Sequence, residues 1–179
     1  MLKLWIKLKM FYAKKRGWIH SIEQEREFVD GLTVSEIKNI VYKQDIFLGI
    51  QWDWQFDSII TMALRGADCN SIHRVWQMYY YNKGYQSYLI TYTHKPVYRE
   101  KLTFGQKILN RLGILYAHSF CAYFNPTTDR WIQINYGNKA AGKSLKDVIN
   151  FNASSYELET KEVCIQNINW EFVNAASID

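Results

Sequence analysis

The sequence predicts an α+β fold in which helices come first and antiparallel strands follow. Apolar residues recur at three- and four-residue spacing up to about residue 82, which is the helical period. From residue 88 onward, several short segments are rich in β-branched and aromatic residues, as strands are. The segment 125–129, with the sequence NPTTD, is a strong turn signal that joins two of these segments as a hairpin. Helices gathered before strands are typical of the α+β class.

The length and composition fit one ordinary globular domain spanning residues 1–179. Hydrophobic residues make up 48% and charged residues 22%, which excludes long disorder and collagen-like structure. The 22 basic and 17 acidic residues give a net charge of +5, which permits an anionic partner without requiring one. Three cysteines are too few for a secreted disulfide scaffold and indicate a reducing compartment. Because no signal peptide or membrane span is recognisable, the expected location is the cytoplasm.

Residues 1–20 form a basic N-terminal segment whose role is left open by the sequence. Its first sixteen residues contain six basic residues and no acidic one: Lys3, Lys7, Lys9, Lys14, Lys15 and Arg16. As a helix, the segment would place Leu4, Leu8 and Phe11 on one side. As a strand, it would place Leu2, Leu4, Ile6 and Leu8 on one face. A peripheral element packed on its own domain is favoured, and a membrane-surface or nucleic-acid contact is the alternative.

Four helices are predicted before residue 85. Ser21 and Thr33 read as N-caps of helices over residues 22–30 and 34–43, because Gln24 and Glu36 complete capping boxes. A third helix is expected from about Asp57 to Leu64, with Gly66 as its stop. The fourth covers residues 69–82, with Asp68 as N-cap and Gly84 as stop. Its buried stripe follows the helical period at Ile72, Val75, Trp76, Tyr79 and Tyr80.

The second half predicts four strands with two short helices between them. The strands are expected at residues 88–93, 117–124, 131–136 and 163–173. The helices are expected at 103–112 and after Ser144, where Asp147 completes a start signal. A sheet of antiparallel strands with helices packed against it is therefore expected.

Cys69 is the candidate nucleophile because it begins the helix at residues 69–82. The positive end of the helix dipole and the backbone N–H groups there favour a thiolate, which is the reactive form of cysteine. Cys69 also precedes Ile72 by three positions, so it lies at the edge of the buried face. A cysteine at a helix start is more often structural than catalytic, so a partner base is needed.

His118 is the candidate partner. Strand alternation puts its imidazole on the apolar face of residues 117–124, where a polar ring must be hydrogen-bonded or functional. Across the predicted hairpin, Gln133 and Asn135 share one face of the next strand. An amide oxygen from that strand can accept from the imidazole and fix its tautomer.

The chain resembles the transglutaminase-like cysteine peptidase superfamily, a branch of the papain-like fold, and within it the bacterial transglutaminase-like cysteine proteinases. The resemblance covers about residues 50–137. It rests on W-x-x-D-S-I-I and R-G-A-D-C between Trp54 and Cys69, on H-S-F-C-A-Y-F from His118, and on R-W-I-Q-I-N from Arg130. Asn135 stands at the position where the family usually has an aspartate.

The resemblance implies a cysteine-bearing helix packed on an antiparallel sheet and cysteine-dependent acyl transfer on an amide bond. A peptidase or amidase acting on a protein or peptide is expected, with no cofactor and no metal; transamidation is the related outcome. The site residues that the resemblance implies are Cys69 as nucleophile, His118 as base, Asn135 as orienter, and Trp54, then Gln51 and Gln55, for the oxyanion pocket.

Other functions compete with this one. A zinc site would use Cys69 with His73 and His118 with Cys121, but positions i and i+3 of a strand point to opposite faces. A nucleic-acid-binding module would use the basic segment 95–111 and the tyrosines near residue 80. An inactive descendant of the fold, kept as a structural or interaction protein, is the third alternative. Cys121 and Cys164 read as buried hydrophobic residues, and Asp129 as a turn residue rather than the orienter.

Overall fold

A computed structural model describes residues 1–43, 45–47, 50–52, 55–94, 104–112, 117–154, 162–174, 176 and 178. Seven helices lie within these residues: α1 (Leu2–Lys15), α2 (Ile22–Asp30), α3 (Val34–Lys38), α4 (Ser58–Leu64), α5 (Cys69–Asn82), α6 (Phe104–Arg111) and α7 (Leu145–Ser154). None of the helices in the described part of the chain combines the length and the apolar character needed to cross a bilayer.

The strands form one large sheet and two small pairings. They are β1 (Val41–Tyr42), β2 (Asp45–Phe47), β3 (Ile50–Trp52), β4 (Gly66–Ala67), β5 (Ser87–Thr93), β6 (Ala117–Asn125), β7 (Arg130–Asn135), β8 (Asn138–Gly142), β9 (Val163–Gln166) and β10 (Phe172–Val173). The six-stranded sheet has the order β10-β9-β5-β6-β7-β8, and its pairings are antiparallel. The small pairings are β1 with β4 and β2 with β3. The fold is therefore mixed α+β, as the sequence predicted.

Helices cover both faces of the large sheet. On one face, Cys121, Tyr123 and Ile134 pack against Trp76 and Tyr80 of α5. On the other face, buried residues of β5, β6, β7 and β9 pack against α7: Ile90, Phe120, Ala122, Trp131, Leu145, Val148 and Ile165. This division follows the strand alternation that the sequence predicted for residues 117–124.

Local start signals are confirmed where the sequence predicted them. Ser21 and Thr33 each form a complete capping box, with Gln24 and Glu36 respectively. The Asp68 side chain accepts from the backbone N–H of Ser71 and so caps α5. The helix at residues 22–30 and the one at residues 69–82 therefore have the bounds that the sequence indicated.

Three local predictions are wrong, and strand β8 was missed. The helix expected over residues 34–43 ends at Lys38, and Val41 and Tyr42 pair with β4 instead. Helix α4 was expected to stop at Gly66, but its C-cap is Arg65, which adopts the left-handed conformation (φ 50°). Gly66 belongs to β4 and pairs with Val41 of β1. The expected strand 163–173 is two strands, because the chain turns back between them through Trp170 at φ 64°. Strand β8 was not predicted: its sequence NKAAG lacks β-branched residues, and pairing with β7 supplies what propensity does not.

A buried ion pair fastens α2 to α5. The Arg74 guanidinium donates to both oxygens of the Glu25 carboxylate, at 2.7 Å from Nη2 and 3.0 Å from Nε. Both side chains are fully buried. Ser58 donates to the same carboxylate from its backbone N–H and its hydroxyl, and Trp170 lies 4.0 Å under the guanidinium. The pair therefore has the partners that a buried charge requires.

Candidate active site at the start of helix α5

Cys69 is the first residue of α5 and is almost completely buried, with 4% of its surface exposed. The Asp68 cap satisfies the N–H of Ser71. The first N–H groups of a helix have no carbonyl partner within the helix, so this turn presents donors and a partial positive charge beside the Cys69 side chain. The cysteine therefore sits where an activated thiol is favoured.

His118 and Asn135 are brought together by the pairing of β6 with β7. The His118 Nε2 lies 3.1 Å from the Asn135 Oδ1. An amide oxygen only accepts, so Nε2 carries the proton and Nδ1 keeps the lone pair. A contact between the imidazole and an amide oxygen of the neighbouring strand is what the sequence predicted.

A polar cluster holds the start of α5 against the strand that carries His118. The Asn70 Oδ1 accepts from the Ser119 hydroxyl at 2.7 Å, and the Ser119 and Thr91 hydroxyls lie 2.8 Å apart. All three side chains are buried. Asn70 follows Cys69 and Ser119 follows His118, so this cluster ties together the immediate neighbours of the two candidate catalytic residues.

His73 makes a second tie, which sequence reasoning missed. Its Nδ1–H donates to the carbonyl oxygen of Cys69 at 2.7 Å, and its Nε2 accepts from the backbone N–H of Tyr136 at 3.0 Å. Its ring centroid lies 6.0 Å from that of His118. Tyr136 follows Asn135 and adopts a left-handed backbone (φ 48°). One buried imidazole thus joins the first turn of α5 to the residue after Asn135.

Both imidazoles are neutral at physiological pH. Burial lowers the pKa of His118 to about 4, where the hydrogen bond to Asn135 opposes the effect and the charge of His94 adds to it. Burial also lowers the pKa of His73 to about 3, helped by the charge of His118 and opposed by the bond to Cys69. At neutral pH the site therefore holds two uncharged imidazole rings.

Of the three candidates for the oxyanion pocket, Gln55 is the one whose side chain is described. It is buried, and neither amide atom has a hydrogen-bond partner among the described residues. The next residue, Phe56, donates its backbone N–H to the Ser71 hydroxyl at 3.2 Å, which places this segment beside the first turn of α5. Trp54 and the Gln51 side chain lie outside the described residues, although the Gln51 backbone belongs to β3.

The contacts of His73 bear on the zinc alternative. Its Nδ1 carries the proton donated to Cys69 and its Nε2 lone pair accepts from Tyr136, so the ring has no lone pair left for a metal shared with Cys69. Within the described ranges, no group of three or more His, Cys, Asp or Glu side chains is arranged to hold a metal ion.

Two tyrosines of the nucleic-acid alternative, Tyr80 and Tyr88, belong to the core. Tyr80 stacks on Tyr123 with the ring centroids 3.8 Å apart, and Tyr88 is buried against Trp131. These rings are not available for base stacking. Residues 95–103 of the basic segment lie outside the described residues.

A cavity of about 560 Å³ opens elsewhere, between α2, α3 and α4, and none of its lining residues is a candidate catalytic residue.

Comparison of the chain with models of protein families, with curated proteins and with solved structures gave no match.

Proposed function

We propose that this chain is a cysteine-dependent acyl-transfer enzyme, a peptidase or amidase of the transglutaminase-like, papain-like type, with the triad Cys69, His118 and Asn135. The observation that carries the proposal is the bond of 3.1 Å between His118 Nε2 and Asn135 Oδ1. This bond leaves the lone pair on the Nδ1 of a buried, neutral ring. The next residue, Ser119, is hydrogen-bonded to Asn70 of α5. A protein or peptide amide is the proposed substrate.

The first chemical step transfers one proton and forms one bond. His118 Nδ1 takes the thiol proton as the Cys69 Sγ attacks the amide carbonyl carbon. Because burial lowers the pKa of His118 to about 4, the resting imidazole is neutral and its Nδ1 lone pair can take the thiol proton. Proton transfer therefore accompanies attack.

The carbonyl oxygen becomes an oxyanion that needs hydrogen-bond donors. The backbone N–H of Cys69, at the positive end of α5, is one proposed donor. The Gln55 amide is the other, because its Nε2 is buried beside this turn and has no partner among the described residues. A buried amide without a partner costs about 1–3 kcal/mol, which an oxyanion in this position would recover.

The remaining steps return the site to its starting state. The His118 imidazolium gives its proton to the leaving amine, the C–N bond breaks, and a thioester remains on Cys69. Water then attacks the thioester while His118 accepts its proton, and the acid and free thiol are released. An amine in place of water gives transamidation.

Acylation of Cys69 by p-nitrophenyl acetate tests this function. We expect one equivalent of p-nitrophenolate in a burst, with the acetyl group on Cys69 by mass spectrometry. His118→Gln removes the base and is expected to slow the burst by a factor of about 10²–10⁴. Cys121→Ser is the matched control, because burial raises the pKa of Cys121 far above its usual range and makes it inert.

Cys69→Ala must abolish the burst while the circular dichroism spectrum stays that of the wild type. A burst that survives in Cys69→Ala, or an unmodified Cys69 in the folded wild type, would contradict the proposal and favour the inactive-descendant alternative. Added amine acceptors then separate hydrolysis from transamidation by their products.

The pH dependence of acylation reports the ionisation of His118. Because the pKa of this ring is about 4, the rate constant should rise through pH 4 and level off near pH 5, not near the ordinary value of about 6.5. His94→Gln removes a charge that lowers this pKa, so the acid limb should move to higher pH. Asn135→Leu removes a bond that raises it, so the limb should move to lower pH. An acid limb near pH 6.5 in the wild type would be inconsistent with a buried, neutral base.

A further inference from the structure

Helix α1 has two apolar faces, and among the described residues only one of them packs on the rest of the domain. Leu2, Ile6, Met10 and Ala13 are buried, and the first three join a core cluster with Leu89, Cys164 and Trp170. This contact satisfies the peripheral-element interpretation of the sequence. It does not explain the other face.

The second face of α1 exposes large apolar side chains to solvent. Leu4, Leu8 and Phe11 are 57%, 54% and 61% exposed. With Met1 and Tyr12, they lie within an arc of about 100° if each residue advances roughly 100° around the axis. Monomeric soluble proteins seldom present such a row of apolar side chains unless it contacts something.

Basic residues border this apolar face on both sides. Lys3, Lys7 and Lys14 follow one edge and Arg16 the other, and residues 1–16 contain no Asp or Glu. The Lys15 ammonium lies 5.0 Å from the centre of the Phe11 ring, and the Arg16 guanidinium lies 5.2 Å from that of Tyr12. Cations draped beside exposed apolar groups are the arrangement of a helix that lies in a membrane interface.

We propose that α1 is an interfacial docking helix for an anionic lipid bilayer, with the apolar face in the headgroup region and the flanking cations on lipid phosphates. Pairing with a second copy would set the lysine rows of two α1 helices against each other, which like-charge repulsion opposes. A nucleic acid offers phosphates but gives Leu4 and Leu8 nothing to bury against. This inference is independent of the chemistry at Cys69.

Co-sedimentation of the full chain with lipid vesicles tests the proposal. We expect binding to phosphatidylcholine vesicles that contain phosphatidylglycerol, weaker binding to pure phosphatidylcholine, and a loss of binding as salt is added. Phe11→Ser, and the pair Leu4→Ser with Leu8→Ser, should each weaken binding about tenfold or more. Phe151→Ser is the matched control, since Phe151 is 56% exposed on α7, and it should bind as the wild type does.

The variants alter solvent-exposed side chains, and an unchanged circular dichroism spectrum confirms that they fold. Absence of binding to anionic vesicles, or equal weakening by Phe151→Ser, would overturn the proposal. A lipid-free dimer that Leu8→Ser dissociates would assign the face to a second copy instead. Binding to a DNA oligonucleotide that survives Phe11→Ser, with no vesicle binding, would assign the helix to nucleic acid.

Discussion

Replacing Arg74 by methionine is expected to lower the free energy of unfolding by about 3–5 kcal/mol. The substitution leaves the Glu25 carboxylate buried with only the two donors of Ser58. Although burial alone raises the pKa of Glu25, the charge of Arg74 and the hydrogen bonds from Arg74 and Ser58 outweigh it and hold this pKa below its ordinary value. Chemical denaturation at pH 7 measures the loss.

Two further variants separate the lost charge pair from lost packing. Arg130→Met makes the same change at an exposed position of β7 and should alter stability by less than about 0.5 kcal/mol. Adding Glu25→Leu to Arg74→Met should restore part of the stability, because no uncompensated charge is then buried. A double variant that is less stable than Arg74→Met alone would contradict this account.

The pair also makes stability depend on pH with a definite sign. Since the pKa of Glu25 is lowered in the folded state, its contribution is complete above the pKa of the unfolded chain. That contribution is lost as the pH falls through the lowered value in the folded protein. The variant Glu25→Gln cannot ionise at this position. Its free energy of unfolding should therefore approach that of the wild type as the solution becomes acidic.

The sequence predicted features that depend on residues close together in the chain. The caps at Ser21, Thr33 and Asp68 each join residues three positions apart. Alternation and one hairpin were enough to predict that an amide of the next strand would face His118, and the family resemblance selected Asn135 over Gln133.

The missed features join distant positions through groups that carry no sequence pattern. Glu25 and Arg74 are 49 positions apart, and a charged residue is usually assigned to the surface. His73 contacts the backbone of Cys69 and, 63 positions away, that of Tyr136. Any residue type supplies such backbone atoms. The four-residue spacing between Cys69 and His73 was the one sequence feature that drew attention to His73, and it suggested a metal site instead.

The two buried imidazoles are expected to make the fold acid-sensitive well above the range of carboxyl titration. The unfolded chain binds protons at His73 and His118 below about pH 6.5, whereas the folded chain resists until about pH 3 and pH 4. Stability is therefore complete above pH 6.5 and falls as the pH drops. Each ring contributes about 1.4 kcal/mol per pH unit. The free energies of unfolding obtained from denaturation curves at pH 6 and pH 5 should differ by about 2–3 kcal/mol.

His73→Gln is expected to remove about half of that slope, because glutamine cannot titrate and its amide oxygen can still accept from Tyr136. The control Val75→Ala creates a cavity at a fully buried position of the same helix. It should lower the free energy of unfolding equally at pH 6 and pH 5, so the dependence of stability on pH should not change. An unaltered slope in His73→Gln would show that this ring is not the buried neutral group described above. The acylation rate can be interpreted only at pH values where intrinsic tryptophan fluorescence shows that the protein is still folded. Within that range, a loss of rate near pH 4 reports the ionisation of His118.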